Sequence, residues 1–424
     1  MSEELKNRRN NLFNAIEDNS LVLVYSGVSK IRSEDSLYPF HANRHFFYLT
    51  GIDQENSVLM MIKTQGERKT FLFIDEYNEL KERWTGKRLS FDAAGRMSDI
   101  ENVYTNNNLE NMIDMALASD KAMYGHIDNL YLDLSDEIKV ATNKSTQMLK
   151  NEFEARYVGL KVENVYPIIT SLRMVKSKEE VDNIVEAINI TNTGINDLLL
   201  QLRFGVYEYE LSYRFEYYGR THGRRELAFE TICAAGRDAT IMHHPISQQT
   251  TSVKDGDLVL FDLGYQYNGY SADISRTYPV NGAFTDQQKK VYQAVLNCNK
   301  AVISYAKPGL LISDLQEYAK KILKEECVKN GLLKPEDDIV KYYIHNVSHH
   351  LGLDTHDASD RSKPLAPGMV ITVEPGLYFV DEGIGVRIED DVLITEEGAT
   401  CLSKGIIKEI AEIEKLFKTK RSGI

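Results

Sequence analysis

Two acidic residues stand near one another at the end of an apolar segment, where they could bind a cation. Asp262 ends the apolar run LVLFD, and Asp273 follows after a segment rich in turn-forming residues. The pattern predicts a β-hairpin with both aspartates on one face. A turn centred on Tyr267-Asn268 would place them directly opposite each other, whereas a turn centred on Asn268-Gly269 would place them diagonally, ~7–8 Å apart.

A second apolar hairpin repeats this arrangement with Glu374 and Glu389. A turn near Asp381-Glu382 would place the two glutamates opposite each other. Carboxylates held this close repel each other unless a cation or a shared proton lies between them. The sequence therefore predicts four carboxylates, on two related hairpins, that surround positive charge.

A histidine-rich segment, IHNVSHHLGLDTHD, lies between the two hairpins in the sequence. It contains His345, His349, His350 and His356, and His243 precedes the first hairpin. Four carboxylates and an imidazole exceed what one ion needs, but they suit two Mn²⁺-like ions that share carboxylates. Two such ions can activate water and polarise a carbonyl, so the predicted chemistry is hydrolysis.

An internal repeat explains why the carboxylate pairs match. Each copy begins with a long predicted helix, over 178–202 and over 286–306, that is opened by a capping box. An apolar strand that ends in a carboxylate follows later in each copy. We expect two related halves that face each other across a shared cleft. The capping residues are Ser177, Glu180, Thr285 and Gln288.

The length of 424 residues suits two domains. Short apolar strands alternate with helical stretches in the first part, which predicts an α/β N-terminal domain over 1–160. Residues 161–424 contain the repeat and predict an α+β C-terminal domain with an internal pseudo-two-fold axis. A net charge of −13 argues against nucleic-acid binding and favours peptides or other small substrates.

Targeting signals and cysteine usage indicate the compartment. No apolar run approaches the ~20 residues of a membrane span, and the N-terminal segment lacks the apolar centre of a signal peptide. The four cysteines are scattered without CxxC spacing, which predicts reduced thiols. We expect a cytoplasmic protein that does not bind membranes.

The chain resembles the pita-bread metallopeptidase family, in particular its branch of aminopeptidase P and prolidase. The matching segments are YPFHANRHFFYLTG in the first part and LVLFDLG, YSADISRTYPVNG, SHHLGLDTHD, GMVITVEPGLY and GIGVRIEDD in the second. The resemblance covers nearly the whole chain. It implies a pita-bread C-terminal domain and a creatinase/aminopeptidase P-like N-terminal domain.

The resemblance also implies a centre of two divalent metal ions, with Mn²⁺ as the first candidate and Co²⁺ or Zn²⁺ as alternatives. Asp273 and Glu389 would bridge both ions. Glu374 would also carry the proton from the attacking water to the leaving nitrogen. The implied metal ligands are Asp262, Asp273, His349, Glu374 and Glu389.

Other residues receive roles from the same resemblance. His243 and His356 would join Glu374 in catalysis by contacting the scissile amide. The implied substrate-binding residues are His345, Arg387 and Tyr378, and Arg387 would also orient the ligand carboxylates. Trp84 would either pack within the chain or reach a neighbouring subunit. His45 stands where some relatives have an aspartate that faces the active site.

The implied activity is that of a dinuclear Xaa-Pro aminopeptidase, which acts on peptides with proline in the second position and assembles as a homodimer or homotetramer. Two alternatives stay open. A prolidase would cleave only Xaa-Pro dipeptides. A pita-bread pseudoenzyme would serve as a binding module, but such proteins have typically lost metal ligands, and all five are present in this sequence.

Overall fold

The computed structural model describes residues 2–118, 123–134, 145–223 and 226–422. The chain forms two compact units, Met1–Arg173 and Met174–Ile424. Within the described part of the chain, no helix combines the length and the apolar character needed to cross a membrane.

The first unit is built on a mixed six-stranded sheet in the order β6-β5-β4-β1-β7-β8, beside a small β2-β3 hairpin. Its strands are β1 (Ser20–Tyr25), β2 (Ile31–Ser33), β3 (Ser36–Leu37), β4 (Val58–Thr64), β5 (Glu67–Ile74), β6 (Asn102–Thr105), β7 (Asn129–Leu132) and β8 (Lys161–Asn164). Its helices are α1 (Ser2–Ala15), α2 (Arg44–Thr50), α3 (Glu79–Thr85), α4 (Phe91–Ser98), α5 (Leu109–Leu117), α6 (Thr146–Arg156) and α7 (Tyr166–Met174).

Alternate residues of the strands form the core of this unit. Leu21 and Leu23 of β1 pack with Met60 and Ile62 of β4 and with Ile113 of α5. Successive side chains of a strand point to opposite faces of the sheet, so this cluster lies on one face, and the intervening Val22 and Leu59 are buried on the other. The α/β architecture predicted for the first part of the chain is confirmed.

The division between the units falls after Arg173, whereas the sequence suggested a boundary after residue 160. The difference has a physical reason. β8 pairs in parallel with β7, so residues 161–164 complete the sheet of the first unit. The start of the second unit therefore lies just before α8, where the repeat begins.

The second unit contains the remaining elements. Its helices are α8 (Lys178–Gln201), α9 (Glu208–Thr221), α10 (Asp286–Tyr305), α11 (Ile312–Lys329) and α12 (Ile410–Ser422). Its strands are β9 (Ile232–Ala235), β10 (Leu258–Leu263), β11 (Gln266–Tyr267), β12 (Tyr270–Ser271), β13 (Ile274–Pro279), β14 (Val370–Val373), β15 (Gly376–Phe379), β16 (Ile384–Arg387), β17 (Asp390–Ile394) and β18 (Ala399–Cys401).

The two halves of this unit have the same order of helices and strands. Helices α8 and α9 precede the strand pair β10–β13, which encloses the hairpin β11–β12. Helices α10 and α11 precede the strand pair β14–β17, which encloses the hairpin β15–β16. The third strand differs, because β9 pairs with β10 whereas β18 pairs with β17. The predicted α+β unit with an internal repeat is confirmed.

Both predicted capping boxes form. Ser177 Oγ accepts a hydrogen bond from the Glu180 N–H at 3.3 Å, and Glu180 Oε2 accepts one from the Ser177 N–H at 3.0 Å. Thr285 and Gln288 make the same reciprocal pair at 3.2 and 2.9 Å. These bonds satisfy N–H groups that the first turn leaves without partners, and so they define where α8 and α10 begin.

Two residues of the first unit that the sequence singled out occupy very different environments. Trp84, on α3, exposes 83% of its surface, so it does not pack into the described core. His45, on α2, is buried, and its Nδ1 lies 3.0 Å from Asp133 Oδ2. The imidazole of His45 therefore belongs to a buried polar pair of the first unit.

Candidate metal centre

The first carboxylate pair lies where β10 and β13 meet their inner hairpin. Asp262 pairs with Ser275 in the ladder, so Asp273, two residues earlier, is its diagonal neighbour. The hairpin turns at Asn268-Gly269, whose φ angles of 49° and 83° suit a tight two-residue turn. Of the two registers that the sequence left open, the structure therefore selects the diagonal one.

The second pair occupies the equivalent position in the other half. The ladders β14–β17 and β15–β16 keep one register on either side of the pair, which places Glu374 opposite Glu389. The chain reverses at Asp381-Glu382, where the Gly383 N–H donates to the Val380 carbonyl at 3.3 Å. This is the arrangement that the sequence predicted.

His349 stands beside these carboxylates in a defined orientation. Its Nδ1 donates to the His350 carbonyl at 3.0 Å, so Nε2 is the nitrogen that faces the acids. Nε2 lies 3.3 Å from Asp273 Oδ2 and 3.6 Å from Glu374 Oε1. One ligand atom each from Asp273, His349 and Glu389 lies within 4.8 Å of the other two. Both hairpins and the histidine segment therefore meet at one point.

A single cleft of the second unit, about 610 Å³ in volume, brings together most of the predicted site residues. It is lined by nine of them: Asp262, Asp273, His349, Glu374, Glu389, His243, His345, His356 and Arg387. The rings of His349 and His356 lie at 71° to each other, with centroids 4.3 Å apart.

The sequence analysis missed part of the cleft wall. Phe229, Glu230, Ile232 and Met242 also line the cleft. Their side chains follow no ligand pattern, so their types carry no signal of a site. Only the pairing of strands would have identified one of these residues, because Ile232 of β9 pairs directly with Asp262 of β10.

Arg387 connects the two hairpins. Its Nη2 donates to Asp262 Oδ2 at 2.7 Å, and its Nε donates to Ser275 Oγ at 2.8 Å. Ser275 Oγ in turn donates to Glu389 Oε2 at 2.7 Å. One guanidinium therefore orients a carboxylate of each half, directly or through one hydroxyl. Ser275 is a further site residue that the sequence analysis did not select.

Tyr378 lies behind the cleft wall rather than on it. The residue is buried, and its hydroxyl lies 3.1 Å from Arg387 Nη1 and 2.9 Å from His345 Nε2. Burial, with the nearby charge of Arg387, lowers the pKa of His345 to about 3, so its imidazole is neutral at physiological pH. The structure thus places Tyr378 as a link between two cleft residues.

Comparison with known proteins identifies the family. Residues 182–396 match metallopeptidase family M24, and residues 5–124 match the N-terminal domain of aminopeptidase P. The Xaa-Pro aminopeptidase of Haemophilus influenzae is 31% identical to this chain over 434 residues, which cover 98% of this chain and 97% of the relative. The chain belongs to metallopeptidase family M24. The family resemblance and the enzyme class predicted from the sequence are confirmed.

Solved structures match this M24 metallopeptidase over its whole length. A candidate aminopeptidase P from Bacillus anthracis has a TM-score of 0.93 and 38% identity, with 99% of both chains covered. Aminopeptidase P from Escherichia coli with the inhibitor Pro-Leu has a TM-score of 0.89 and 30% identity, with 100% of this chain and 99% of that chain covered. The predicted pita-bread fold of the C-terminal domain is confirmed.

The electrostatics of this M24 metallopeptidase centre fit divalent cations. Burial, together with neighbouring carboxylates, raises the pKa of Glu374 to about 8 and raises the pKa values of Glu389 and Asp273. Although burial opposes its charge, the hydrogen bond to Asp273 and the nearby carboxylates raise the pKa of His349 to about 9. Concentrated buried negative charge of this kind is compensated by protons or by cations.

The individual donor atoms fit metal ions as well. Asp262 Oδ1 is buried and has no hydrogen-bond partner among the described residues, although Oδ2 is held by Arg387. A buried carboxylate oxygen without a donor is suited to accept a cation. Four carboxylates with a single imidazole form a hard, oxygen-rich donor set of the kind that Mn²⁺ and similar ions prefer.

Proposed function

We propose that this chain is a dinuclear metal-dependent Xaa-Pro aminopeptidase, which hydrolyses the first peptide bond of substrates with proline in the second position. The observation that carries the proposal is the convergence of five ligand-type side chains in one cleft of an M24 metallopeptidase. They are Asp262, Asp273, His349, Glu374 and Glu389.

The relatives support aminopeptidase P over the prolidase alternative. The proteins of H. influenzae and E. coli that match nearly the whole chain, each 31% identical, are named Xaa-Pro aminopeptidase. The complete set of ligand-type residues also argues against a pseudoenzyme that only binds a partner, because no position of the set has lost its donor atoms.

The five residues would hold two divalent ions. When bound, the ions would activate a water molecule and polarise the carbonyl of the scissile bond. Mn²⁺ is the first candidate, with Co²⁺ and Zn²⁺ as alternatives, and one E. coli aminopeptidase P structure is zinc-substituted. Arg387 and Ser275 would keep the carboxylates oriented toward the ions.

Glu374 is proposed to move the proton from the attacking water to the leaving nitrogen. It lines the cleft with its Oε1 near His349 and its Oε2 3.7 Å from His345 Nδ1. His243 and His356 line the same cleft and would donate hydrogen bonds to the scissile amide. Burial lowers the pKa of His356, which favours a neutral ring able to donate without carrying charge.

The preference for proline is proposed to come from shape. A bond to proline is a tertiary amide without N–H, and the ring restricts φ to about −65°, so a pocket can select this geometry. His345, His356 and Arg387, which all line the cleft, would surround the ring. The E. coli aminopeptidase P inhibitor Pro-Leu has the composition of the product left by Xaa-Pro-Leu, which supports substrates longer than a dipeptide.

Three matched peptides test the proposal. We expect kcat/KM for Xaa-Pro-Yaa to exceed that for Xaa-Ala-Yaa by at least about tenfold, because a pocket mismatch of this size has that effect. We expect Xaa-Pro-Yaa also to be cleaved faster than the Xaa-Pro dipeptide. Equal rates on the proline and alanine tripeptides would refute the proline assignment, and strict preference for the dipeptide would establish prolidase instead.

The proposed function includes an oligomeric assembly of the chain. We propose a homodimer or homotetramer, in which the side chain of Trp84, 83% exposed among the described residues, would contact a second subunit. Light scattering should give a mass of two or four chains, and a fully active monomer would refute this.

We also propose a cytoplasmic location. It is supported by the four free thiols, which suit a reducing compartment, and cell fractionation tests it.

A further inference from the structure

A buried ion pair lies directly behind the segment that carries two of the cleft histidines. Lys176 Nζ donates to Asp357 Oδ2 at 3.0 Å, and the two side chains are only 1% and 2% exposed. Asp357 directly follows His356 in the sequence. Because burial removes the hydration of both charges, such a pair adds little stability over apolar side chains of similar size. Its presence here calls for another reason.

Asp357 is connected to the metal centre through one carbonyl group. The Asp357 N–H donates to the His350 carbonyl at 2.9 Å. The same carbonyl accepts the hydrogen bond from His349 Nδ1 at 3.0 Å, which orients the imidazole toward the carboxylates. The backbone that carries the ion pair therefore also determines which way the His349 ring faces.

The loop between the two histidines closes onto the ion pair. Asp357 Oδ1 accepts from the Asp354 N–H at 3.3 Å, and the Gly352 N–H donates to the Asp354 carbonyl at 3.1 Å. A Cβ atom on Gly352 would lie 2.4 Å from Asp357 Oδ2 and 3.1 Å from Lys176 Cε. The loop thus packs against both members of the pair, with no space for a side chain at that position.

Lys176 is itself held in place by the opposite half of the repeat. Its N–H donates to the Gly368 carbonyl at 2.9 Å, just before β14. On its other side it directly precedes Ser177, the capping residue of α8. The backbone of Lys176 therefore joins the start of the first half to the residues just before β14.

We propose that Lys176 and Asp357 are positioning residues that hold the segment from His349 to His356 in its working geometry. They act through the two histidines and do not touch the substrate. The inference rests on the proposed function, because it takes His349 as a metal ligand and His356 as a contact of the scissile amide. The pair maintains the arrangement in which both rings face the cleft, 4.3 Å apart between centroids.

Asp357→Asn tests the proposal with little change in shape. The amide retains an oxygen for the Asp354 N–H but no longer attracts the Lys176 ammonium. We expect kcat on an Xaa-Pro-Yaa peptide to fall at least about tenfold and Mn²⁺ affinity, measured by titration calorimetry, to fall about 10–100-fold, the range seen when groups behind a metal ligand are lost. Wild-type kcat and Mn²⁺ affinity in this variant would overturn the proposal.

A control variant of similar stability distinguishes an effect on the position of the histidines from general destabilisation of the fold. Leu323→Ala on α11 removes a buried apolar side chain, and Leu323 is not among the residues that line the cleft. We expect this variant to melt at a lower temperature while keeping wild-type kcat and Mn²⁺ affinity. If it loses both as Asp357→Asn does, the effect of Asp357→Asn reflects general destabilisation, and the proposal fails.

The double variant Lys176→Met/Asp357→Leu removes both charges together, so that no lone buried charge remains. We expect its melting temperature to match or exceed that of the wild type while kcat and Mn²⁺ affinity stay reduced, because apolar side chains cannot hold the loop by hydrogen bonds. Recovery of kcat and affinity along with stability would show that the pair serves folding alone. A wild-type protein that binds Mn²⁺ but cleaves no Xaa-Pro peptide would refute the proposed function separately.

Discussion

Arg387 donates a hydrogen bond from Nη2 to Asp262 Oδ2 at 2.7 Å, and this bond joins the second carboxylate hairpin to the first. Both side chains are largely buried, and the guanidinium is planar, so the contact defines the direction of the carboxylate as well as its position. The remaining oxygen of Asp262 is left without a hydrogen-bond donor among the described residues. One buried oxygen of Asp262 therefore stays available to the proposed metal ions.

Loss of this contact should weaken the metal centre. We expect Arg387→Met to lower Mn²⁺ affinity and kcat by about 10–100-fold, because Asp262 and Ser275 lose their common donor. Titration calorimetry and steady-state kinetics measure the two effects. The control is Arg214→Met, which breaks the 2.6 Å ion pair of Arg214 with Asp197 outside the cleft and should leave both quantities unchanged. Wild-type Mn²⁺ affinity in Arg387→Met would contradict the role of this arginine.

Glu374→Gln should abolish turnover while the fold is retained. The amide cannot carry a proton and is a poor ligand for a cation, so both proposed roles of Glu374 are lost. The measurements are kcat on an Xaa-Pro-Yaa peptide and the melting temperature. Glu382→Gln, in the exposed turn of the same hairpin, is the matched control and should behave as wild type. Near-normal kcat in Glu374→Gln would remove this residue from the catalytic role.

Metal removal should be reversible. We expect protein treated with a chelator to lose activity and to regain it when Mn²⁺ is added, because the five-residue donor set suits such ions. The same addition should raise the melting temperature, since a ligand present at 100 times its Kd stabilises the folded state by about 2.7 kcal/mol. Full turnover by a sample shown to be metal-free would exclude the proposed mechanism.

The stability of the metal-free protein should fall as the pH rises from 5 to 9. Glu374 and His349 have folded-state pKa values of about 8 and about 9, above their ordinary values of 4.5 and 6.5. A group whose pKa is raised by folding stabilises the protein below its unfolded pKa, and this stabilisation is lost as the pH passes its folded pKa. Each such proton contributes a slope of up to about 1.4 kcal/mol per pH unit.

Thermal melts across this pH range, with and without Mn²⁺, test the sign of the effect. Bound Mn²⁺ should flatten or reverse the slope, because the cation takes the place of the protons. Glu374→Gln removes one of the titrating groups and should flatten the slope of the metal-free protein. If the stability of the metal-free wild type rises with pH, the raised pKa values of Glu374 and His349 are contradicted.

The local features of this protein could be predicted from the sequence. The capping boxes before α8 and α10 and the position of Glu374 opposite Glu389 depend on residues close together in the chain, and the repeat follows from comparing two such local patterns. Spacing and residue type specify such features, because the same few residues form both the pattern and the contact. The Asn268-Gly269 dipeptide also favours the diagonal register of Asp262 and Asp273, since an Asn-Gly sequence favours a tight hairpin turn.

Other features were decided only by tertiary structure. The first unit continues past residue 160 because β8 pairs with a strand that residue types alone do not identify as its neighbour. Ser275 reaches Glu389, and Lys176 reaches Asp357, from positions far apart in the sequence. A serine or a lysine is compatible with many surroundings, and only the packing of the chain determines which partner each one meets. Most of the residues that line the cleft could therefore be selected from the sequence, whereas the groups that orient them depend on long-range contacts.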